Sequence, residues 1–122
     1  KATKKERKII EMTVFILQCG DQLAVQKRGA KGILAGLYQY PNLEQKMTAA
    51  EALQTAEAWG CMPTGLQRQS EYKHIFTHVE WHMTGYYITC SCEADGPAHD
   101  WIWVDAAQME AEIPLPSAFQ YF

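Results

Sequence analysis

The stretch Lys31-Gly32-Ile33-Leu34-Ala35-Gly36-Leu37-Tyr38-Gln39-Tyr40-Pro41-Asn42 joins two kinds of pattern. With Gly29 it forms a glycine-rich loop from Gly29 to Gly36. Leu37-Tyr38-Gln39-Tyr40 then reads as a short strand, stopped by Pro41-Asn42. Upstream, Thr13-Val14-Phe15-Ile16-Leu17 is β-branched and apolar and predicts a strand at about Met12 to Gln18. Cys19-Gly20-Asp21-Gln22 is a hairpin turn, and Leu23 to Arg28 returns as a second strand. Downstream, Thr48-Ala49-Ala50-Glu51 is a capping box that opens a helix. Leu53, Ala56 and Gly60 fall on one helix face, flanked by Ala49, Ala52 and Trp59, and Gly60 ends the helix.

Beyond the helix, strands are expected at about Gln67 to Phe76 and Trp81 to Cys92. On the second, Tyr86, Ile88 and Cys90 share one face, with Tyr87, Thr89 and Ser91 on the other. Glu93 to Asp100 is a Gly/Pro loop. Trp101-Ile102-Trp103-Val104 is a last strand, and Asp105 caps a short helix before Pro114 and Pro116. Strands, helix, strands and short helix give an α+β class, with an antiparallel or mixed sheet packed against helices.

The chain has 122 residues, the size of one domain. Hydrophobic content is 48 % and charged content 20 %, an ordinary globular balance. No apolar run is long enough to span a bilayer, and the N-terminus has no secretory pattern. The chain opens with Lys1 rather than Met, so a piece of a longer protein is expected, with residues 1–8 the end of a linker and 9–122 one domain. Net charge is −3, unevenly spread. Residues 1–31 hold eight Lys and Arg against three acids, a net +5, while residues 91–122 hold six acids and no Lys or Arg. An acidic average therefore leaves room for one basic face toward a polyanion, although a solvated basic tail explains the same numbers. The four cysteines, Cys19, Cys61, Cys90 and Cys92, include no C-x-x-C pair and read as reduced thiols, mostly core filler. That fits a cytoplasmic protein.

Tyr72 to His82 carries three histidines, His74, His78 and His82, four residues apart. Bent around Phe76-Thr77-His78, this segment presents a ring, a hydroxyl and an imidazole together, groups suited to a nucleobase edge. The alternative is a strand-end loop without a ligand. His74 and His82 with Cys90 and Cys92 fit no tight zinc spacing, so no metal site is assigned. Lys27, Arg28 and Lys31 beside the glycine-rich loop are candidate phosphate contacts, although no strand–GK[ST]–helix follows. Trp81, Trp101 and Trp103, with Tyr86 and Tyr87, could serve as stacking platforms, but Trp101 and Trp103 share one strand face and read as core, and Trp59 at the helix end reads as packing.

The residues of Lys31–Asn42 resemble the K-G-L-L-A-G-L-W-E-F-P-N segment of the C-terminal domain of MutY-type adenine DNA glycosylases. His74-Ile75-Phe76-Thr77-His78 resembles that domain's H-x-F-S/T-H loop, and Pro116-Ser117-Ala118-Phe119 its closing P-S-A-F/M element. The motifs come in the family's order and cover nearly the whole chain. The resemblance implies a Nudix-like fold and a role in recognising 8-oxoguanine opposite a mispaired adenine, within base excision repair. It implies two partners: double-stranded DNA carrying that mispair, and the protein's own N-terminal catalytic domain. The family's iron–sulfur cluster lies in that other domain, so no cofactor is expected in this chain, and a monomer is expected. Oxidation makes guanine N7 a donor and adds an acceptor at O8. The Thr77 hydroxyl can serve both, His78 can contact an exocyclic amine, and Phe76 can wedge or support the loop. A Nudix hydrolase also needs an R-E-x-x-E-E helix to hold divalent metal. Alignment on Gly60 places Leu53, Gln54, Glu57 and Ala58 at the four positions of that box, and only Glu57 keeps a carboxylate. The domain alone is therefore expected to be non-catalytic. A small hydrolase of damaged nucleotides and a non-catalytic protein-interaction module on the same fold remain the alternatives.

Overall fold

A computed structural model describes residues 7–91 and 101–122. The expected loop at Glu93–Asp100 and residue Cys92 lie outside the described residues. The first strand, β1 (Lys8–Cys19), turns through Gly20 and Asp21 into β2 (Gln22–Lys27), with Cys19 pairing Gln22. Gly20 takes φ 62°, the left-handed region such a tight hairpin requires. Two short strands follow, β3 (Tyr38–Gln39) and β4 (Asn42–Leu43), then α1 (Ala49–Ala58). The long hairpin β5 (Pro63–Ile75) and β6 (Val79–Cys90) comes next, then β7 (Trp101–Val104), α2 (Ala106–Glu112) and a 3-10 turn at Ser117–Phe119.

Among the described residues, seven strands form one sheet in the order β3-β2-β1-β6-β5, with β4 on β1 and β7 on β2. The β1–β6 pair is parallel over eleven consecutive positions, from Lys8↔Val79 to Gln18↔Thr89, and the other pairs are antiparallel. The sheet is therefore mixed. Its centre is β1, where Met12 to Leu17 are all buried because both faces are covered. Alternation sends Met12, Val14 and Ile16 into one cluster with Trp81, Met83, Leu115 and Phe119. Phe15 and Leu17 enter the other, with Ala52 and Ala56 of α1 and Tyr86, Ile88 and Cys90 of β6. The face predicted for β6 and the apolar stripe predicted for α1 are both observed.

The local signals behave as their chemistry dictates. Thr48 accepts from the Glu51 N–H at 3.2 Å, and the Glu51 carboxylate accepts from the Thr48 N–H at 2.9 Å. Those bonds hold the Glu51 carboxyl below its ordinary pKa. At the other end Gly60 (φ 86°) donates to the Glu57 carbonyl at 2.9 Å, and Cys61 donates to Ala56 at 3.0 Å. Asp105 caps α2 through the Gln108 N–H at 2.7 Å.

Several boundaries differ from expectation. The first strand opens at Lys8 rather than Met12, because β6 offers a parallel partner along its whole length. The β5 strand begins at Pro63 rather than Gln67, with register shifts between Pro63 and Gly65 and between Leu66 and Arg68. Trp101 and Trp103 are half-buried, whereas Trp81 is only 3 % exposed. Cys61 and Cys90 are buried free thiols, as expected of core filler. Cys19 is disulfide-bonded, which corrects the reading of four reduced thiols. It closes β1 where that strand ends beside β6, Gln18 pairing Thr89. Among the described residues, no helix is long and apolar enough to cross a membrane.

Candidate functional site

Phe76, Thr77 and His78 form the tip of the β5–β6 hairpin. The Phe76 N–H donates to the Val79 carbonyl at 2.7 Å, closing the tip. The Lys8 N–H donates to the His78 carbonyl at 3.1 Å, so β1 pins it from the side. A three-residue tip held by main-chain bonds at both ends leaves little freedom to its backbone. Thr77 and His78 are exposed, while Phe76 is half-buried.

The register explains that division. Opposed residues share a sheet face, and His74 pairs with Trp81. The Phe76 ring follows them onto the same face, meeting Trp81 at 4.8 Å and His74 at 4.8 Å between ring centroids, both edge-on. Trp81 rests in turn against Phe119 at 5.7 Å. His74 Nδ1 lies 3.0 Å from the Tyr121 hydroxyl, and Tyr121 stacks on Tyr72 at 5.2 Å. Phe76 thus supports the tip from below, and Thr77 and His78 stand above it. The chain's last residue also packs here. Gly85 leaves the space for the Phe122 ring, which an added Cβ would strike.

The loop after β2 lies at the same end of the sheet, since β2 runs antiparallel to β1 and β1 starts beside the tip. Gly36 donates to the Gly29 carbonyl at 2.9 Å, and Leu37 donates to Leu34 at 3.1 Å. Those two N–H groups are spent within the loop. Gly32 (φ 94°) and Gly36 (φ 75°) take left-handed conformations that shape it. Ile33 and Leu34 pack on the cluster that contains Trp81 and Phe76. Lys27 and Lys31 are exposed, and Arg28 is half-buried. The Arg28 Nε donates to the Ile33 carbonyl at 2.9 Å, and its Nη1 donates to Gln39 Oε1. Its guanidinium carbon sits 5.1 Å from the centre of the Trp81 ring. Burial lowers the Arg28 pKa, partly offset by Glu44. The structure therefore brings the tip and the basic loop together, with the two lysines facing solvent and the arginine turned inward.

The α1 face has a different character. Gln54, Glu57 and Ala58 are exposed and Leu53 packs on the core. A cavity of about 340 Å³ beside the helix is lined by Lys46, Glu51, Gln54, Thr55 and Ala58 among others, with one carboxylate. That carboxylate, Glu51, is engaged in the helix cap. His74 and His82 lie on opposite faces: His74 opposes Trp81, while His82 opposes Lys73 and contacts Glu80 at 3.1 Å and Glu11 at 3.6 Å. Among the described residues, no group of three or more His, Cys, Asp or Glu side chains could hold a metal ion.

Sequence reasoning missed three contributors: Trp81 as the floor of the tip, Tyr121 as its side brace, and Gln39 as the acceptor that orients Arg28. Trp81 carried a signal, a lone tryptophan on the strand after the tip. Tyr121 carried none, because its contact with His74 joins residues far apart in the chain.

Compared with known families, residues 13–122 match the NUDIX domain. No curated protein matches. Among solved structures, the C-terminal domain of mouse MUTYH, crystallised in complex with human PCNA, is similar with a TM-score of 0.72 and 18 % identity, over 91 % of this chain and 82 % of that one. RenU, a Nudix hydrolase from M. smegmatis, is similar with a TM-score of 0.65 and 17 % identity, over 97 % and 83 %. The MutT protein from Methanosarcina mazei Go1 gives 0.62 and 12 %, over 93 % and 88 %. At such identities the likeness is one of fold.

Proposed function

The chain belongs to the NUDIX domain family, and on that premise we propose that it is a lesion-recognition domain for a MutY-type adenine DNA glycosylase. In this reading Thr77 and His78 inspect 8-oxoguanine opposite a mispaired adenine. The observation that supports it most is the closed β5–β6 tip, with Thr77 and His78 exposed over a packed aromatic floor. A site that must tell one purine edge from another needs donors and acceptors held in place before contact. Lys27 and Lys31, exposed at the same end of the sheet, supply charge for the flanking phosphates. Adenine excision itself belongs to the catalytic domain expected N-terminal to this one, and a cluster cofactor, where the parent carries one, lies there too.

Membership of this family gives a second reading, a hydrolase of damaged nucleotides. Its chemistry needs several carboxylate oxygens around a divalent cation on α1. The helix presents Glu57 alone among the four aligned positions, and Glu51 nearby is held by Thr48. The two readings separate in one assay. With magnesium and 8-oxo-dGTP the chain is expected to release no pyrophosphate above background. Magnesium-dependent release at ordinary Nudix rates would replace the recognition reading with the hydrolase one.

A further inference from the structure

Arg28 stands where three parts of the molecule meet. From the end of β2 its Nε holds the Ile33 carbonyl of the glycine-rich loop at 2.9 Å, and its Nη1 holds Gln39 on β3. Gln39 is itself 8 % exposed and donates on to Gln26 Oε1 at 3.3 Å. The remaining face of the guanidinium covers Trp81 at 5.1 Å, and Trp81 carries Phe76 at 4.8 Å. A planar fork can make two directed bonds and a ring contact at once, which a lysine ammonium cannot. Two of its five N–H donors are spent and one face is covered, which leaves less of it to a DNA phosphate than of the exposed Lys27 and Lys31.

We propose that Arg28 is a positioning residue that ties the Lys31 loop to the Phe76-Thr77-His78 tip, and not a phosphate contact. The tip's height above the sheet is then set from the loop side through the stack Arg28, Trp81, Phe76. A basic residue in a DNA-facing segment acts here on specificity while leaving the electrostatic part of affinity to its neighbours. The specificity half of this claim rests on the lesion-recognition reading, and the geometric half does not.

The test uses Arg28→Lys, which keeps the charge and loses the fork, with Lys31→Ala as the contrast. Backbone amide shifts of the free chain come first. Arg28→Lys is expected to move Phe76, Thr77 and His78 as well as Ile33 and Gln39, while Lys31→Ala leaves the tip unmoved. Unchanged tip resonances in Arg28→Lys would overturn the proposal whether or not the chain reads lesions. Binding to duplexes with 8-oxoguanine or guanine opposite adenine, over a range of salt, comes second. Lys31→Ala is expected to reduce the slope of log K against log salt by about 0.9 and leave the lesion preference alone. Arg28→Lys is expected to keep the wild-type slope and lose several-fold in lesion preference. Because that variant keeps its charge, Arg28→Gln is added: a slope reduced as in Lys31→Ala would make Arg28 a phosphate contact and overturn the proposal. If Arg28→Lys does not fold, Gln39→Met removes the acceptor that Arg28 uses, together with the bond Gln39 gives Gln26, while leaving Arg28 in place, and the same tip shifts decide. A wild-type chain with no lesion preference would sink the recognition reading and leave the tip-shift result standing.

Discussion

Replacing Trp81 by alanine is expected to lower the stability of the domain by ~3–5 kcal/mol, the range for a buried tryptophan. The ring is 3 % exposed and lies between Phe119 at 5.7 Å and Phe76 at 4.8 Å, beneath the Arg28 guanidinium. Removing it opens a cavity that β-sheet neighbours cannot close, because Met83 and Gly85 on the same face are fixed by the β1–β6 ladder. The tip loses its floor at the same time. Trp101→Ala should cost less, since that ring is half-buried and meets Trp59 edge-on at 5.3 Å. Urea unfolding of both variants measures the difference. A loss in Trp81→Ala within about 0.5 kcal/mol, as for an ordinary surface substitution, would show that the tip is not built on this ring.

The second large effect concerns discrimination. Thr77→Val keeps the shape of the side chain and deletes a hydroxyl that can make two hydrogen bonds to the lesion edge. Each is worth about 0.5–1.5 kcal/mol net, so the preference for 8-oxoguanine over guanine should fall roughly tenfold. His78→Ala should weaken lesion affinity more than the chemical step, since in the proposed reading the imidazole contacts the opposite base rather than the scissile bond. The double variant should lose most of the preference. Its effect need not equal the sum of the single effects, because the residues are neighbours on one closed tip. Single-turnover adenine excision from 8-oxoguanine:adenine and guanine:adenine duplexes, with the domain joined to a MutY-type catalytic domain, reads the ratio. Both side chains are exposed, so stability should change little.

Much of this architecture was legible because its signals are local. The Gly20-Asp21 turn, the Thr48–Glu51 box, the Gly60 stop and the Asp105 cap each involve residues a few positions apart, and each is formed as read. The face alternation of β6 was legible for the same reason. The parallel pairing of β1 with β6 was not, since it joins Lys8 to Val79 and nothing in Lys8-Ile9-Ile10-Glu11 announces a partner that distant. The short β4 strand, Leu43 on Thr13, depends on the same kind of contact. At the candidate site, the identity of Phe76, Thr77 and His78 could be read, and so could their position in a bend. The inward turn of Arg28 could not. A basic residue beside a glycine-rich loop looks the same in sequence whether it faces solvent or a buried tryptophan. Burial of a charge is decided by what the fold places around it, here the Ile33 carbonyl, Gln39 and Trp81.

Lesion reading by Thr77 and His78 is tested most directly by titrating this chain with two duplexes that differ only in 8-oxoguanine or guanine opposite adenine, followed through the backbone amides. If the tip reads the lesion, the lesion duplex moves Phe76, Thr77 and His78 further, and saturates at lower concentration, than the undamaged one. Lys27 and Lys31 should respond equally to both, and all shifts should shrink as salt is raised. Identical responses of the three tip residues to the two duplexes, or shifts confined to the face around α1, would contradict lesion reading.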